Sequence, residues 1–179
     1  MTENLLKKEG NEKTLLLMRH AKSSWQEASR ADFDRPLNRR GKSAAPRMAG
    51  VLQERNLLPQ KIIASSAKRT RQTAELLTAT WGNSCPVLLE DELYLASPQV
   101  CLKSLAEHCG EETTVLLIGH NPGMEGLVER LTGEDEIMPT AAVAILTFAG
   151  SWSRLTGSRL LQVLRPRELS TGEELSREQ

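Results

Sequence analysis

The chain has 179 residues, of which 39% are hydrophobic and only 3% aromatic, and its formal net charge is zero. This length fits one domain with a core built mainly from aliphatic side chains. A nucleic-acid groove usually adds aromatic stacking residues, which are scarce here. No apolar run approaches the roughly 20 residues of a membrane span. We therefore expect neither nucleic acid nor a membrane as a partner.

The charge is unevenly distributed along the chain. Residues 1–75 contain 16 Lys and Arg against 8 Asp and Glu, and residues 76–179 contain 7 against 15. Two interpretations remain open. Either the exposed helix faces simply differ in composition, or the first half supplies cations to an anionic ligand.

The cysteines and the first residues of the chain bear on its compartment. Cys85, Cys101 and Cys109 are odd in number and lack the CxxC spacing of a zinc site. This pattern favours reduced thiols over a disulfide framework. The start of the chain lacks the apolar core of a signal peptide. Together these features predict a cytoplasmic protein.

Three short apolar runs recur along the chain, and helical periodicity follows the second and the third of them. The runs are 14–18, 61–64 and 114–118. They do not alternate with polar residues, which is typical of strands buried on both faces. They end at Arg19 and His20, at Ser66 and at His120.

The segments between and after these runs complete the predicted elements. Helices are expected at 40–55, 69–77, 97–108 and 124–131, with a kink at Pro46 and a start at Ser97 and Pro98. Apolar runs at 142–148 and 160–164 predict an antiparallel pair of strands. Residues 1–13 and 167–179 are polar, so we expect loosely ordered termini around a domain of residues 14–166.

Strands that alternate with helices predict a single-domain three-layer α/β/α sandwich, with a mostly parallel central sheet and an antiparallel edge. In such sheets, ligands bind outside the carboxyl ends of the strands. Arg19, His20, Arg69 and His120 all follow these ends, so we expect them on one rim.

Two imidazoles and two guanidinium groups on one rim suit a phosphoryl group. Arginine pairs bidentately with phosphate oxygens, and a neutral histidine nitrogen can attack phosphorus. No metal or other cofactor is needed in that chemistry. Zinc binding is the alternative role for two histidines. A zinc site would need a third protein ligand, and cationic neighbours disfavour it.

Three motifs resemble those of the histidine phosphatase superfamily. Residues 19–21 resemble its Arg-His-Gly signature, with Ala21 in place of Gly; residues 65–75 resemble its phosphate-binding stretch; and residues 119–121 resemble its second-histidine motif. The resemblance implies that His20 is the phosphorylated nucleophile. It also implies that Arg19, Arg69 and His120 hold the phosphoryl group.

The start of the match, residues 18–25, is similar to the small branch of phosphohistidine phosphatases in this superfamily. Residues 34–37 resemble a further element of that branch, which implies that Arg35 can also reach the phosphate. Larger members supply a glutamate as general acid, and Glu92 is its best positional match here. Glu90 and Asp91 compete with it, and a solvated acidic loop is the other interpretation of this segment.

These observations predict a phosphatase that works through a phosphohistidine intermediate and acts on phosphohistidine in a protein. A phosphatase for small phosphomonoesters is the alternative enzyme. A module that binds phosphorylated partners without turnover, or a purely structural domain, is the alternative from another class. His20 argues against a pure binder, because such a protein has no need of a nucleophile.

Overall fold

The computed structural model describes residues 12–27, 29–82 and 85–169. The strands are β1 Lys13–Arg19, β2 Lys61–Ser65, β3 Val87–Glu90, β4 Thr114–Gly119, β5 Val143–Ser151 and β6 Arg154–Leu164. The helices are α1 Arg39–Glu54, α2 Lys68–Thr80, α3 Pro98–His108 and α4 Gly123–Thr132. Single 3-10 turns lie at Asp32–Asp34 and Asp91–Leu93.

The strands form one sheet in the order β3-β2-β4-β1-β5-β6. The first four strands in this order are parallel to one another, whereas β5 runs antiparallel to both β1 and β6. The predicted α/β fold, with a mostly parallel sheet and an antiparallel edge, is confirmed. Because β1 and β4 are direct neighbours, the residues that follow them come close together.

Helices cover both faces of the sheet. Leu16 and Met18 of β1 pack with α1 and α2 on one face, whereas Leu15 and Leu17 pack with α3 and α4 on the other. All four side chains are fully buried. This explains why β1 lacks alternation, since neither face of a central parallel strand meets water.

Most helix boundaries fall within a residue or two of the sequence expectation. Asn38 caps α1 by accepting a hydrogen bond from the Gly41 N–H at 2.9 Å, and Pro46 lies inside this continuous helix. The sequence analysis missed β3. It is an edge strand on which Val87 and Leu89 stay about 40% exposed, so it lacks the burial pattern of the three central strands.

The expectation of loosely ordered termini concerns mainly residues 1–11 and 170–179, which lie outside the described residues. Lys13 already belongs to β1, and Leu169 packs against the α1–α2 side of the core. The three cysteines are free thiols, and the cytoplasmic location stays a prediction. Within the described part of the chain, every helix is too short or too polar to cross a lipid bilayer.

Candidate functional site

His20 lies directly after β1 and is almost fully buried. Its backbone N–H donates to the Gly119 carbonyl at 3.0 Å, which holds it beside the end of β4. Its Nδ1 lies 2.7 Å from the Ala21 carbonyl, which can only accept, so Nδ1 carries the hydrogen. Nε2 accepts from Arg69 Nε at 3.1 Å. The lone pair of Nε2 therefore points towards the guanidinium group.

The environment keeps the His20 ring uncharged. Burial lowers its pKa to about 4, and the charges of Arg69, Arg19 and Arg35 act in the same direction. A histidine with this pKa is neutral near pH 7. The unprotonated Nε2 is therefore available to attack an electrophile.

His120 follows β4 and lies against His20, with ring centroids 5.0 Å apart. Its Nδ1 lies 3.3 Å from Arg69 Nη2, which can only donate, so Nε2 carries the hydrogen. That nitrogen lies 3.0 Å from Ser65 Oγ and 3.3 Å from Thr70 Oγ1. Burial, then His20 and Arg69, lower the pKa of His120 to about 3.

Two arginines flank the paired histidines. Arg69 lies in the first turn of α2 and is buried. Arg19 ends β1 and donates from Nη1 to the Met138 carbonyl at 3.0 Å. Its Nε is buried without a hydrogen-bond partner in the described part of the chain.

Asp32 is a site residue that the sequence analysis missed. Its carboxylate accepts hydrogen bonds from Arg35 at 2.6 Å, from Arg69 at 2.9 Å and from the Tyr94 hydroxyl at 2.7 Å. Burial alone would raise its pKa, but the bonds from Tyr94 and Arg35 and the charge of Arg69 lower it to about 2. The sequence signal that could have identified Asp32 is its position three residues before Arg35, with which it forms an ion pair.

These side chains surround one open cavity of about 390 Å³. The cavity is lined by Arg19, His20, Arg35, Arg69 and His120, together with Lys22, Ser23, Trp25, Asp32, Leu95, Asn121 and Thr140. Asp32 is the only carboxylate among the described residues that line it. The arrangement offers a neutral nucleophile surrounded by cations, which suits an anionic electrophile.

Comparison with known proteins identifies this arrangement. The family model for the histidine phosphatase superfamily (branch 1) matches residues 15–94. An uncharacterised protein of Mycobacterium leprae is 33% identical over 151 residues, covering 77% of this chain and 91% of that protein. The chain belongs to the histidine phosphatase superfamily. This histidine phosphatase is therefore a hydrolase that acts on phosphorylated substrates.

Solved structures place it in the SixA-like branch. A protein from Agrobacterium tumefaciens named as phosphohistidine phosphatase SixA is 33% identical with a TM-score of 0.75, over 86% of this chain and 98% of that one. A protein from Nakamurella multipartitia with the same name is 30% identical with a TM-score of 0.77, over 89% and 99% of the two chains.

Arg35 of this histidine phosphatase lines the cavity but is already heavily engaged. Besides Asp32, its guanidinium donates to the Ser24 carbonyl at 2.9 Å and to Ser23 Oγ at 2.8 Å. It also stacks over the Trp25 ring, 3.1 Å from the centroid. Arg35 is thus a fixed positive charge on the wall of the cavity.

The structure does not bring Glu92 or its two competitors to the cavity. The Glu92 side chain is 71% exposed and lies 3.7 Å from Lys103 on α3. Glu90 accepts from Ser104 at 2.9 Å and lies 3.1 Å from His108, while Asp91 accepts from Ser66. The three acidic side chains point elsewhere because they pair with α3 and with the start of the β2–α2 connection, whereas Tyr94 and Leu95 of the same segment reach Asp32 and the cavity.

Ala21, which replaces the glycine of the family signature, fits its position without strain. It is fully buried and has no positive φ, and its N–H donates to Thr73 Oγ1 at 3.1 Å. The loop after β1 therefore needs no glycine here.

No three His, Cys, Asp or Glu side chains of the described residues are grouped to hold a metal ion.

Proposed function

We propose that this histidine phosphatase hydrolyses phosphohistidine in proteins and carries the phosphoryl group on His20 Nε2 between the two half-reactions. The observation that carries this proposal is the state of Asp32. The one carboxylate on the described cavity wall has a pKa of about 2, so it holds no proton near neutral pH.

In the first half-reaction, His20 Nε2 attacks phosphorus. Arg69 must release Nε2, 3.1 Å from its Nε, and turn its guanidinium to the phosphoryl oxygens. Arg19 can donate to the same oxygens, whereas the Nε2–H of His120 faces Ser65 Oγ and Thr70 Oγ1 and His120 contacts Arg69 through Nδ1. Such preorganised donors stabilise the charge of the transition state, and each is typically worth about 10²–10³-fold in rate.

The leaving group decides between substrate classes. An alkoxide needs a proton from the enzyme, and general acid catalysis typically contributes about 10²–10⁴-fold. A phosphorylated imidazole needs none, because protonation of its other nitrogen by solvent lets it leave as neutral histidine when the P–N bond breaks. A cavity whose one carboxylate among the described lining residues is ionised is therefore suited to P–N bonds.

In the second half-reaction, water attacks phosphorus and breaks the bond to His20 Nε2. The phosphate leaves with the oxygen of the water, one proton of that water passes to phosphate or solvent, and the lone pair returns to Nε2. The low pKa of His20 favours its departure as a neutral imidazole.

The rim of the cavity supports a substrate carried on a protein. Trp25 is 74% exposed and Leu95 is 55% exposed, although both line the cavity. Large apolar side chains exposed beside a functional cavity are typical of surfaces that meet another protein.

The test compares a protein or peptide phosphohistidine with an ordinary phosphomonoester such as glycerol phosphate. We expect kcat/KM to favour phosphohistidine by about 10²-fold or more, which is the lower limit of general acid catalysis. Rapid quenching in base should trap phosphate on His20. Faster hydrolysis of the phosphomonoester would make the small-molecule phosphatase the better assignment, and binding without turnover would indicate a recognition module.

We also propose that the reaction needs no divalent cation, because Arg19, Arg35 and Arg69 supply positive charge around the phosphoryl group. Activity should persist after dialysis against EDTA. Loss of activity that zinc or magnesium restores would contradict this.

A further inference from the structure

A second cavity, of about 410 Å³, opens beside the catalytic one. Its charged lining consists of Arg19, Lys22, Arg40, Arg165, Arg167 and Glu168, and we call it the basic groove. Arg19, Lys22 and Thr140 line both cavities. A ligand that delivers a phosphoryl group to His20 can therefore extend into the groove without leaving the surface.

Three cations of the basic groove are not compensated. Arg165 forms an ion pair with Glu136 and lies 3.8 Å from Glu168, so these acids offset its charge. Lys22, Arg40 and Arg167 are exposed, and within the described part of the chain their side chains form no ion pair or hydrogen bond. As far as residues 12–27, 29–82 and 85–169 show, the groove thus carries positive charge without an ion-pair partner.

The backbone that carries Lys22 and Arg40 is firmly held. The Lys22 carbonyl accepts from the Asn38 N–H at 2.9 Å, which fastens the loop after β1 to the start of α1. Gly41 allows this close approach, because a Cβ atom there would lie 2.2 Å from the Lys22 carbonyl oxygen. The contact between this loop and α1 therefore brings Lys22 and Arg40 close together.

The segment that carries Arg167 is anchored on both sides. Arg165 donates from Nε to the Ile137 carbonyl at 3.2 Å, and Arg47 of α1 donates to the Leu169 carbonyl. Leu169 also packs against the core. The basic groove therefore lies between α1, the segment before β5 and the segment after β6, and these contacts hold its walls in place.

We propose that the basic groove binds an acidic stretch of the phosphorylated protein, adjacent to the residue that carries the phosphoryl group. This inference rests on the proposed function and adds a preference for acidic sequence around the phosphohistidine. Charge complementarity with Lys22, Arg40 and Arg167 identifies the occupant as acidic. The exposed Trp25 and Leu95 at the rim of the catalytic cavity identify it as part of a protein.

Exposed charges of this kind act mainly on encounter and binding. Each exposed ion pair contributes little, and salt screens it. The groove should therefore change KM for an acidic substrate and leave kcat nearly unchanged.

The experiment uses two synthetic peptides, each with one phosphohistidine, flanked by glutamates in one and by glutamines in the other. The test variant is Arg40→Gln with Arg167→Gln, since neither residue lines the catalytic cavity. The matched control is Arg130→Gln with Arg154→Gln, which removes two exposed charges at the end of α4 and the start of β6.

We expect the wild type to prefer the acidic peptide by about 3- to 10-fold in kcat/KM, through KM, as suits two or three exposed charge pairs. Added salt should reduce this preference, the test variant should lose it and the control should keep it. An undiminished preference in the test variant would overturn the proposal. If the test variant lost kcat/KM equally on free phosphohistidine, the proposal would also be overturned, because the groove would then bind the small substrate itself.

Failure of the proposed function has a different signature. If the wild type hydrolyses neither peptide, the phosphohistidine assignment fails, but binding still decides on the groove. Fluorescence anisotropy with the same labelled peptides and the His20→Ala protein should show tighter binding of the acidic peptide. That difference should disappear when Arg40→Gln and Arg167→Gln are added, and its persistence would again overturn the proposal.

Discussion

The loops that follow β1, β2 and β4 bring charged side chains into the catalytic cavity, whereas the acidic side chains around the end of β3 point away from it. His20 and His120 come from neighbouring strands at the middle of the sheet, and Arg69 comes from the next connection. Glu90 ends the edge strand, Glu92 follows it, and both pair with side chains of α3. Lying at the carboxyl edge of a parallel sheet is therefore not enough to place a residue in the site.

The two regions also differ in charge. The cavity combines two neutral histidines, several arginines and one ionised aspartate, Asp32. The end of β3 and the turn after it hold three acidic residues, Glu90, Asp91 and Glu92, that make contacts elsewhere. The cavity therefore gathers groups that stabilise negative charge, and its one carboxylate among the described lining residues has a lowered pKa.

The largest expected effect concerns the loop after β1. His20→Ala should reduce turnover by more than about 10³-fold, because it removes the Nε2 lone pair that forms the covalent intermediate. Steady-state rates on a phosphohistidine peptide measure this loss. His108→Ala is the matched control, since His108 is the histidine outside the cavity and contacts Glu90. Substantial activity in a correctly folded His20→Ala protein would refute the assignment.

The next effect concerns the connection after β2. Arg69→Lys keeps the charge but removes the planar group that bonds to His20, His120 and Asp32. We expect kcat to fall by about 10²–10³-fold, as for loss of a preorganised transition-state donor. Arg71→Lys on the exposed side of the same helix should have no comparable effect. Similar losses in the two variants would show that the contacts of Arg69 are not what matters.

Asp32 tests whether the cavity contains a general acid. If Asp32 only positions Arg35 and Arg69, Asp32→Asn should lower kcat/KM by about tenfold whatever the leaving group, through misplaced donors. The measurement uses p-nitrophenyl phosphate and glycerol phosphate, whose leaving groups differ greatly in basicity. A much larger loss on glycerol phosphate would identify Asp32 as a proton donor and contradict the low pKa.

The two neutral histidines predict a smaller, thermodynamic effect. Their pKa values are depressed in the folded protein, to about 4 for His20 and about 3 for His120. The unfolded chain therefore binds more protons below pH 6.5, and the free energy of unfolding falls as the pH decreases. Between pH 7 and 5.5 we expect a loss of about 1 kcal/mol for each histidine.

Urea unfolding of the wild type and of His120→Gln at both pH values measures this contribution. The glutamine variant should lose less stability on acidification, because one of the two depressed groups is absent. An identical decrease in both proteins would show that His120 is not held neutral by the fold.

The sequence predicts the central fold well because β1, β2 and β4 are buried on both faces and lack alternation. The same signal identifies Arg19, His20 and His120 as candidate site residues, since each lies where such an apolar run ends. It fails for Asp32, which lies in a 3-10 turn without periodicity. It also fails for β3, because an edge strand with exposed apolar residues resembles a loop.

Glu92→Gln should have the smallest effect, and it is the sharpest test of the difference between the catalytic cavity and the acidic residues around the end of β3. The match of Glu92 to a family glutamate relied on its place along the chain, which does not determine the direction in which a loop turns. Its side chain is 71% exposed and lies 3.7 Å from Lys103, so its charge reaches the cavity only through solvent. We expect a change of less than about twofold on phosphohistidine and phosphomonoesters alike, as for an exposed ion pair. Glu107→Gln, which removes the other acidic neighbour of Lys103, is the control. A selective loss of phosphomonoester hydrolysis in Glu92→Gln alone would mean that this segment swings into the cavity during turnover, and the difference between the two regions would then hold only for the resting enzyme.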